Sequence, residues 1–144
     1  MKRLLRHLAC SSLLLLALHI QAEPTMHLTL SGGKAVALQN GGPWLELLSV
    51  DEHRCPQDRE CYHAGHALLV LGLREQTSAP PTLIGLSWPT QDGPIIQGLA
   101  AWGQRYQHPA WQIELQELLP KRPSTDPLPL SAYTVRLRVT RRVP

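Results

Sequence analysis

Past its first 22 residues, this 144-residue sequence has no apolar run long enough to cross a bilayer, no surplus of either charge and no CxxC pair. The first absence excludes a permanent transmembrane helix, which needs about 20 consecutive apolar residues. The second removes the main argument for a nucleic-acid partner or an anionic membrane surface. Of the 14 basic residues, Lys2, Arg3 and Arg6 lie in the leader, so 11 face 11 acids beyond it and the formal charge falls from +3 to zero. The third excludes a thioredoxin-like redox centre. No serine or cysteine stands in a diagnostic nucleophile setting, and no matched pair of carboxylates marks acid/base chemistry. Catalysis is therefore not the expectation.

What is present begins with a leader. A positive start, the apolar core Leu13 to Ala17 with Leu18 and Ile20, and the small residue Ala22 read as a secretory signal peptide over residues 1–22. Cys10 precedes that core, the wrong order for a lipidated cysteine. The remainder, 23–144, is sized for a single domain, expected in the periplasm or secreted. No stable membrane insertion is expected.

Short apolar runs separated by turn residues fill the rest. Met26 to Leu30, Lys34 to Leu38, the segment from Trp44 to Val50, Ala67 to Leu73, Thr82 to Trp88, Trp111 to Leu119 and Tyr133 to Thr140 all read as strands. In the run from Trp44, alternation sets Trp44, Glu46, Leu48 and Val50 against Leu45, Leu47 and Ser49. That places Glu46 among apolar neighbours and points to a bulge or a sheet apolar on both sides. The final strand alternates cleanly, with Tyr133, Val135, Leu137 and Val139 opposite Thr134, Arg136, Arg138 and Thr140. Its position near the terminus suggests an edge that completes the fold. Lys121 to Pro129 reads as an extended excursion between sheets or toward an edge strand. The fold class is all-β: an antiparallel β-sandwich or small open β-barrel of about seven strands.

Val50 to Leu71, VDEHRCPQDRECYHAGHALLVL, carries the densest chemistry. Secretion and an even cysteine count beyond the leader favour a Cys55–Cys61 disulfide, contributing roughly 2 kcal/mol by chain entropy. Asp51, Glu52, Asp58 and Glu60 read as exposed acids of a solvated loop. His53, His63 and His66 are either exposed loop histidines or ligands of a copper or zinc ion, since imidazole suits both metals. Structural zinc using the two cysteines as well is disfavoured, because oxidation removes both thiolates.

The same segment resembles a largely uncharacterised family of small bacterial periplasmic proteins and lipoproteins. Its signature is a strand, an acidic turn, Ser-Arg-Cys-Pro, an acid-containing spacer, Cys-aromatic-Ala-Gly and a second apolar strand. Arg54-Cys55-Pro56, Asp58, Cys61 and Ala64-Gly65 match that pattern, while His53 replaces the usual serine. The resemblance implies a secreted, disulfide-pinned β domain and no established catalytic residue.

Aromatic side chains gather later, as Trp88, Trp102, Tyr106 and Trp111. They are either core and interface packing or the wall of a small-molecule site. The function expected is a noncatalytic periplasmic binding or accessory protein whose partner is an envelope protein or small ligand. The alternative is a periplasmic copper- or zinc-binding protein using the histidines beside the disulfide loop.

Overall fold

The computed structural model describes residues 24–88, 105–122 and 124–142. The expected signal peptide and Trp102 lie outside them. Eight strands run β1 (Thr25–Ser31), β2 (Ala35–Ala37), β3 (Trp44–Glu52), β4 (Ala67–Arg74), β5 (Thr82–Trp88), β6 (Arg105–Gln107), β7 (Trp111–Leu119) and β8 (Thr134–Arg141). A 3-10 turn, Leu130–Ala132, precedes β8. The strands form two four-stranded antiparallel sheets, ordered β1-β8-β7-β6 and β2-β3-β4-β5. They pack as an open sandwich, with β1 against β3 at one side and β5 against β6 and β7 at the other.

Period-two alternation builds the core. On one sheet Leu45 pairs with Leu73, Leu47 with Leu71, Leu71 with Ile84 and Leu69 with Leu86. Facing them, Leu30 pairs with Val135, Ile113 with Val139 and Leu115 with Leu137. All of these side chains are buried. Strand β4, the near-continuous apolar run, is a central strand with β3 and β5 on its two sides.

Two bulges reset this alternation. In β3 the register slips between Leu47 and Ser49, so Leu48 is the extra residue. Before it, odd-numbered Leu45 and Leu47 face the core; after it, Val50 stands opposite core residue Leu69 and Glu52 opposite Ala67. Directly opposed residues share a face, so the bulge turns an even-numbered acid inward. In β7 a second slip, between Leu115 and Glu117, makes Gln116 the extra residue and returns Leu118 to the core opposite Val135. This accounts for the loss of alternation near Glu117 to Leu119.

Strand β8 has the expected faces but not the expected place. It lies between β1 and β7, inside its sheet. Chain order does not set sheet order here: the first strand closes over the last, leaving β1 at the edge. The proline-rich excursion accordingly joins neighbouring strands of one sheet, β7 and β8, instead of two sheets.

Candidate functional site

The inward turn of Glu52 creates the main polar centre. The reading of Glu52 as an exposed acid fails: Glu52 is half-buried, and Arg54, two residues on, is only 8% exposed. The parity change at Leu48 carries Glu52 to the inter-sheet side, and Arg54 folds back to neutralise it. The Arg54 backbone amide and Nε donate to Glu52 Oε1 at 3.1 and 2.7 Å, and Nη2 donates to Oε2. From the same guanidinium, Nη1 donates to the Leu118 carbonyl at 3.2 Å and Nη2 to that of Pro120 at 2.9 Å. Tyr133, buried between the 3-10 turn and β8, directs its hydroxyl to Glu52 Oε2 at 3.4 Å. One ion pair thus joins β3, the end of β7 and the entrance to β8.

Its electrostatics follow from these partners. Burial opposes ionisation of Glu52, but hydrogen bonds from the Arg54 side chain and backbone, with the charges of Arg54 and Arg122, outweigh it and hold the carboxyl below the usual glutamate range. Tyr133 moves the other way: burial, then the Glu52 charge and its acceptor role, raise the phenol above its ordinary value.

A second arginine ties the cysteine loop to the β7–β8 connection. Arg122 Nη1 donates to the Arg54 carbonyl at 2.8 Å, while its own carbonyl accepts from the Gln57 amide at 2.9 Å. Within the loop, Cys55 and Cys61 form the expected disulfide, with Cα atoms 5.9 Å apart. Two backbone bonds close the loop's neck, His53 N to His66 O at 2.8 Å and Cys55 N to Ala64 O at 2.7 Å. Gly65 permits this approach. It has φ +69°, and a Cβ there would lie 1.9 Å from the His53 carbonyl oxygen.

Between β3 and the connection lies a pocket of about 220 Å³. Val50, Asp51 and Glu52 form one wall and Tyr133 part of another. Arg122, Thr125, Asp126, Pro127 and Leu128 supply the rest from the connection.

The three expected histidines are only partly brought together. The His53 and His66 rings have centroids 5.6 Å apart, and His53 Nε2 lies 3.0 Å from Asp51 Oδ2. His63 stands edge-on to Tyr62 at 4.5 Å on the exposed tip of the loop. Among the described residues no group of three or more histidine, cysteine or acidic side chains is disposed to hold a metal ion.

The aromatic candidates among the described residues sit elsewhere. Trp111 is buried in the core, and Trp88 and Tyr106 are partly buried against it; none lines the pocket. Arg141 lies over the Trp111 ring at 6.0 Å. The remaining arginines of β8 occupy an ion-paired outer face. Arg138 pairs with Glu114, which also takes Arg105 at 3.2 Å, and Arg136 pairs with Glu117 at 2.7 Å. The Arg138 hydrogen bond, against the cost of burial and aided by Arg105, holds Glu114 below the usual range.

Arg122 and Tyr133 were not foreseen as site residues. Arg122 sits in a proline-rich run with no periodic signal, and Tyr133 reads as one more apolar member of a strand. The available signal was the loss of alternation around Leu48, which decides the side on which Glu52 falls.

No protein-family model matches the chain, and no curated protein or solved structure matches it. No helix among the described residues is long and apolar enough to cross a membrane. The disulfide fits an oxidising, non-cytoplasmic compartment.

Proposed function

We propose that the chain is a noncatalytic binding or accessory protein of the periplasm, exported by its first 22 residues, and that its ligand or envelope partner engages the pocket beside the clamped loop. The observation carrying this reading is the pocket itself, a concave site whose walls are fixed by the Arg54–Glu52 pair and the Arg122 bridge. Rigid walls of mixed polar and apolar character suit recognition, because little ordering cost falls on binding.

The charge states argue against catalysis there. A general acid or base works best with a pKa near the ambient pH. Glu52 is held low and ionised, and Tyr133 is held high and protonated. Similarity of the Cys55–Cys61 segment to a periplasmic family agrees with the location and is part of the proposal.

The test is a thermal-shift screen of small polar metabolites, followed by Leu128→Trp to fill the pocket. Ligands of the native protein should lose binding in the variant while the fold persists. Binding indifferent to the filled pocket would overturn the assignment.

One observation favours a second reading, copper or zinc binding: the approach of His53 to His66, with Asp51 beside His53. Metal titration of the oxidised protein addresses it. Stoichiometric binding lost on replacing His53, His63 and His66 would establish that reading, and absence of binding would remove it.

A further inference from the structure

Four strands end the two sheets. Of these, β2 and β6 run for three residues each, and β5 is bracketed by Pro81 and Pro89 and interrupted by Gly85, features that discourage further pairing. Strand β1 has none of them. Its seven residues, TMHLTLS, include no proline, glycine or charged side chain, and its register with β8 is free of bulges. Its open side follows from the hydrogen bonds at its two ends. The Arg141 amide donates to the Pro24 carbonyl and the Gly32 amide to the Tyr133 carbonyl, each at 3.0 Å. Opposed residues of an antiparallel ladder alternate between bonded and non-bonded pairs. Met26, Leu28 and Leu30 therefore spend their backbone groups on β8, while Thr25, His27, Thr29 and Ser31 turn theirs outward. The Ser31 carbonyl accepts from Lys34 in the following turn. At His27 and Thr29, both exposed, the backbone amide and carbonyl have no partner among the described residues.

A strand added to this edge must present the same row of donors and acceptors, and β1 itself does so. Aligned antiparallel with a second copy about Leu28, the whole strand overlaps: His27 stands opposite Thr29 of the second copy, Thr25 opposite its Ser31, Met26 opposite its Leu30 and Leu28 opposite its Leu28. Outward-facing residues meet outward-facing residues, so each pairing of His27 with Thr29 closes two backbone bonds. No like charges oppose one another in this register. On the inner face, the half-buried Met26 and Leu28, which pack against the core of their own sandwich, become continuous with those of the second copy. A foreign strand is selected by side-chain pockets or charges along the edge; β1 has no charge with which to select one, and its pattern matches itself. We infer that β1 is a dimer interface, through which two copies of the chain pair edge to edge about a twofold axis at Leu28 and join their four-stranded sheets into one. No residue of β1 lines the pocket, so the interface stands independently of the binding function proposed above.

Sedimentation velocity of the exported, oxidised protein over a concentration series should show a monomer passing to a dimer. Hydrogen exchange at the His27 and Thr29 amides should slow as the dimer forms, while the Met26, Leu28 and Leu30 amides, already bonded to β8, stay protected throughout. Charge tests the register. With His27→Glu and Thr29→Glu together, the new carboxylates oppose each other across the twofold axis, and dimerisation should weaken roughly tenfold or more. Within one chain the same carboxylates lie beside Arg138 and Arg136 of β8, so the monomer keeps its fold. With His27→Glu and Thr29→Lys, opposite charges face each other and the dimer should return to at least its native strength. A protein that stays monomeric up to about 1 mM overturns the inference. If the two amides are then protected only on addition of periplasmic extract, the edge belongs to a foreign strand. A dimer that the paired glutamates leave intact also overturns it, since its interface lies elsewhere. So does one that the Glu–Lys variant fails to restore, since its register is not the one inferred.

Discussion

Arg54 closes on Glu52, the acid two residues before it, and the same guanidinium reaches the Leu118 and Pro120 carbonyls of the opposite sheet. The side chains retain only 10% and 12% exposure, so the pair is largely out of water. Removing one member of such a pair leaves a buried charge uncompensated, which is far more costly than losing a surface salt bridge. Arg54→Met should lower unfolding stability by about 3 kcal/mol. Arg54→Lys should recover only part of it, since an ammonium cannot reproduce the planar fork that serves Glu52 and two carbonyls at once. Urea denaturation checks this through a lower midpoint at unchanged slope.

Acid should destabilise the protein through the same residue. Glu52 and Glu114 both titrate below the ordinary glutamate value of 4.5 in the folded chain. A depressed folded pKa means that the unfolded chain binds protons first as pH falls. The stabilisation is thus complete above 4.5 and is lost progressively as pH drops toward and through the lower folded values. Glu52→Gln should flatten this acid slope while Glu114 preserves part of it. Stability measured from pH 7 down to 2 checks the sign, and a slope unaltered by Glu52→Gln would refute the assignment. At the alkaline end, the raised Tyr133 pKa predicts loss of stability as pH climbs past 10.0.

The fold was legible where one face of a strand is buried. Leu137 and Val139 alternate with Arg138 and Thr140, and that alternation alone places β8 on a half-solvated sheet. Its central position was hidden, because pairing with β1 joins Thr25 to Thr140 across the whole chain, and no local pattern encodes so distant a partner. Glu52 was misread for a different reason. Its neighbours Asp51, His53 and Arg54 form a run that looks solvated by composition, whereas its side is set by one extra residue four positions earlier. Arg122 became part of the site only through the distance its chain segment covers to reach the Arg54 carbonyl.

Gly65→Ala should damage the loop more than a surface change normally does. The residue must hold φ +69°, and a methyl group would collide with the His53 carbonyl at the neck of the loop. Relief requires parting the His53 and His66 backbones, at a cost of about 1–3 kcal/mol. Hydrogen exchange at the His53 and Cys55 amides, which bond across that neck, should accelerate before any change in the core amides of β4. Uniform acceleration throughout the sheets would show that the neck is not a separate unit.

The disulfide should matter less to global stability than its place in the sequence suggests. Cys55 and Cys61 are only six positions apart, so cross-linking removes little freedom from the unfolded chain, about 2 kcal/mol. Four other attachments hold the same loop: the two backbone bonds of its neck, the Arg122 contact with the Arg54 carbonyl and the Gln57 amide bond to Arg122. Cys55→Ser with Cys61→Ser should therefore leave a folded sandwich with a modestly lower denaturation midpoint. Its NMR changes should concentrate between residues 55 and 66, with Glu52 still paired to Arg54. If the double variant instead fails to fold, the bond would be holding the sheets together through the loop, and the Arg54 bridge would be secondary to it.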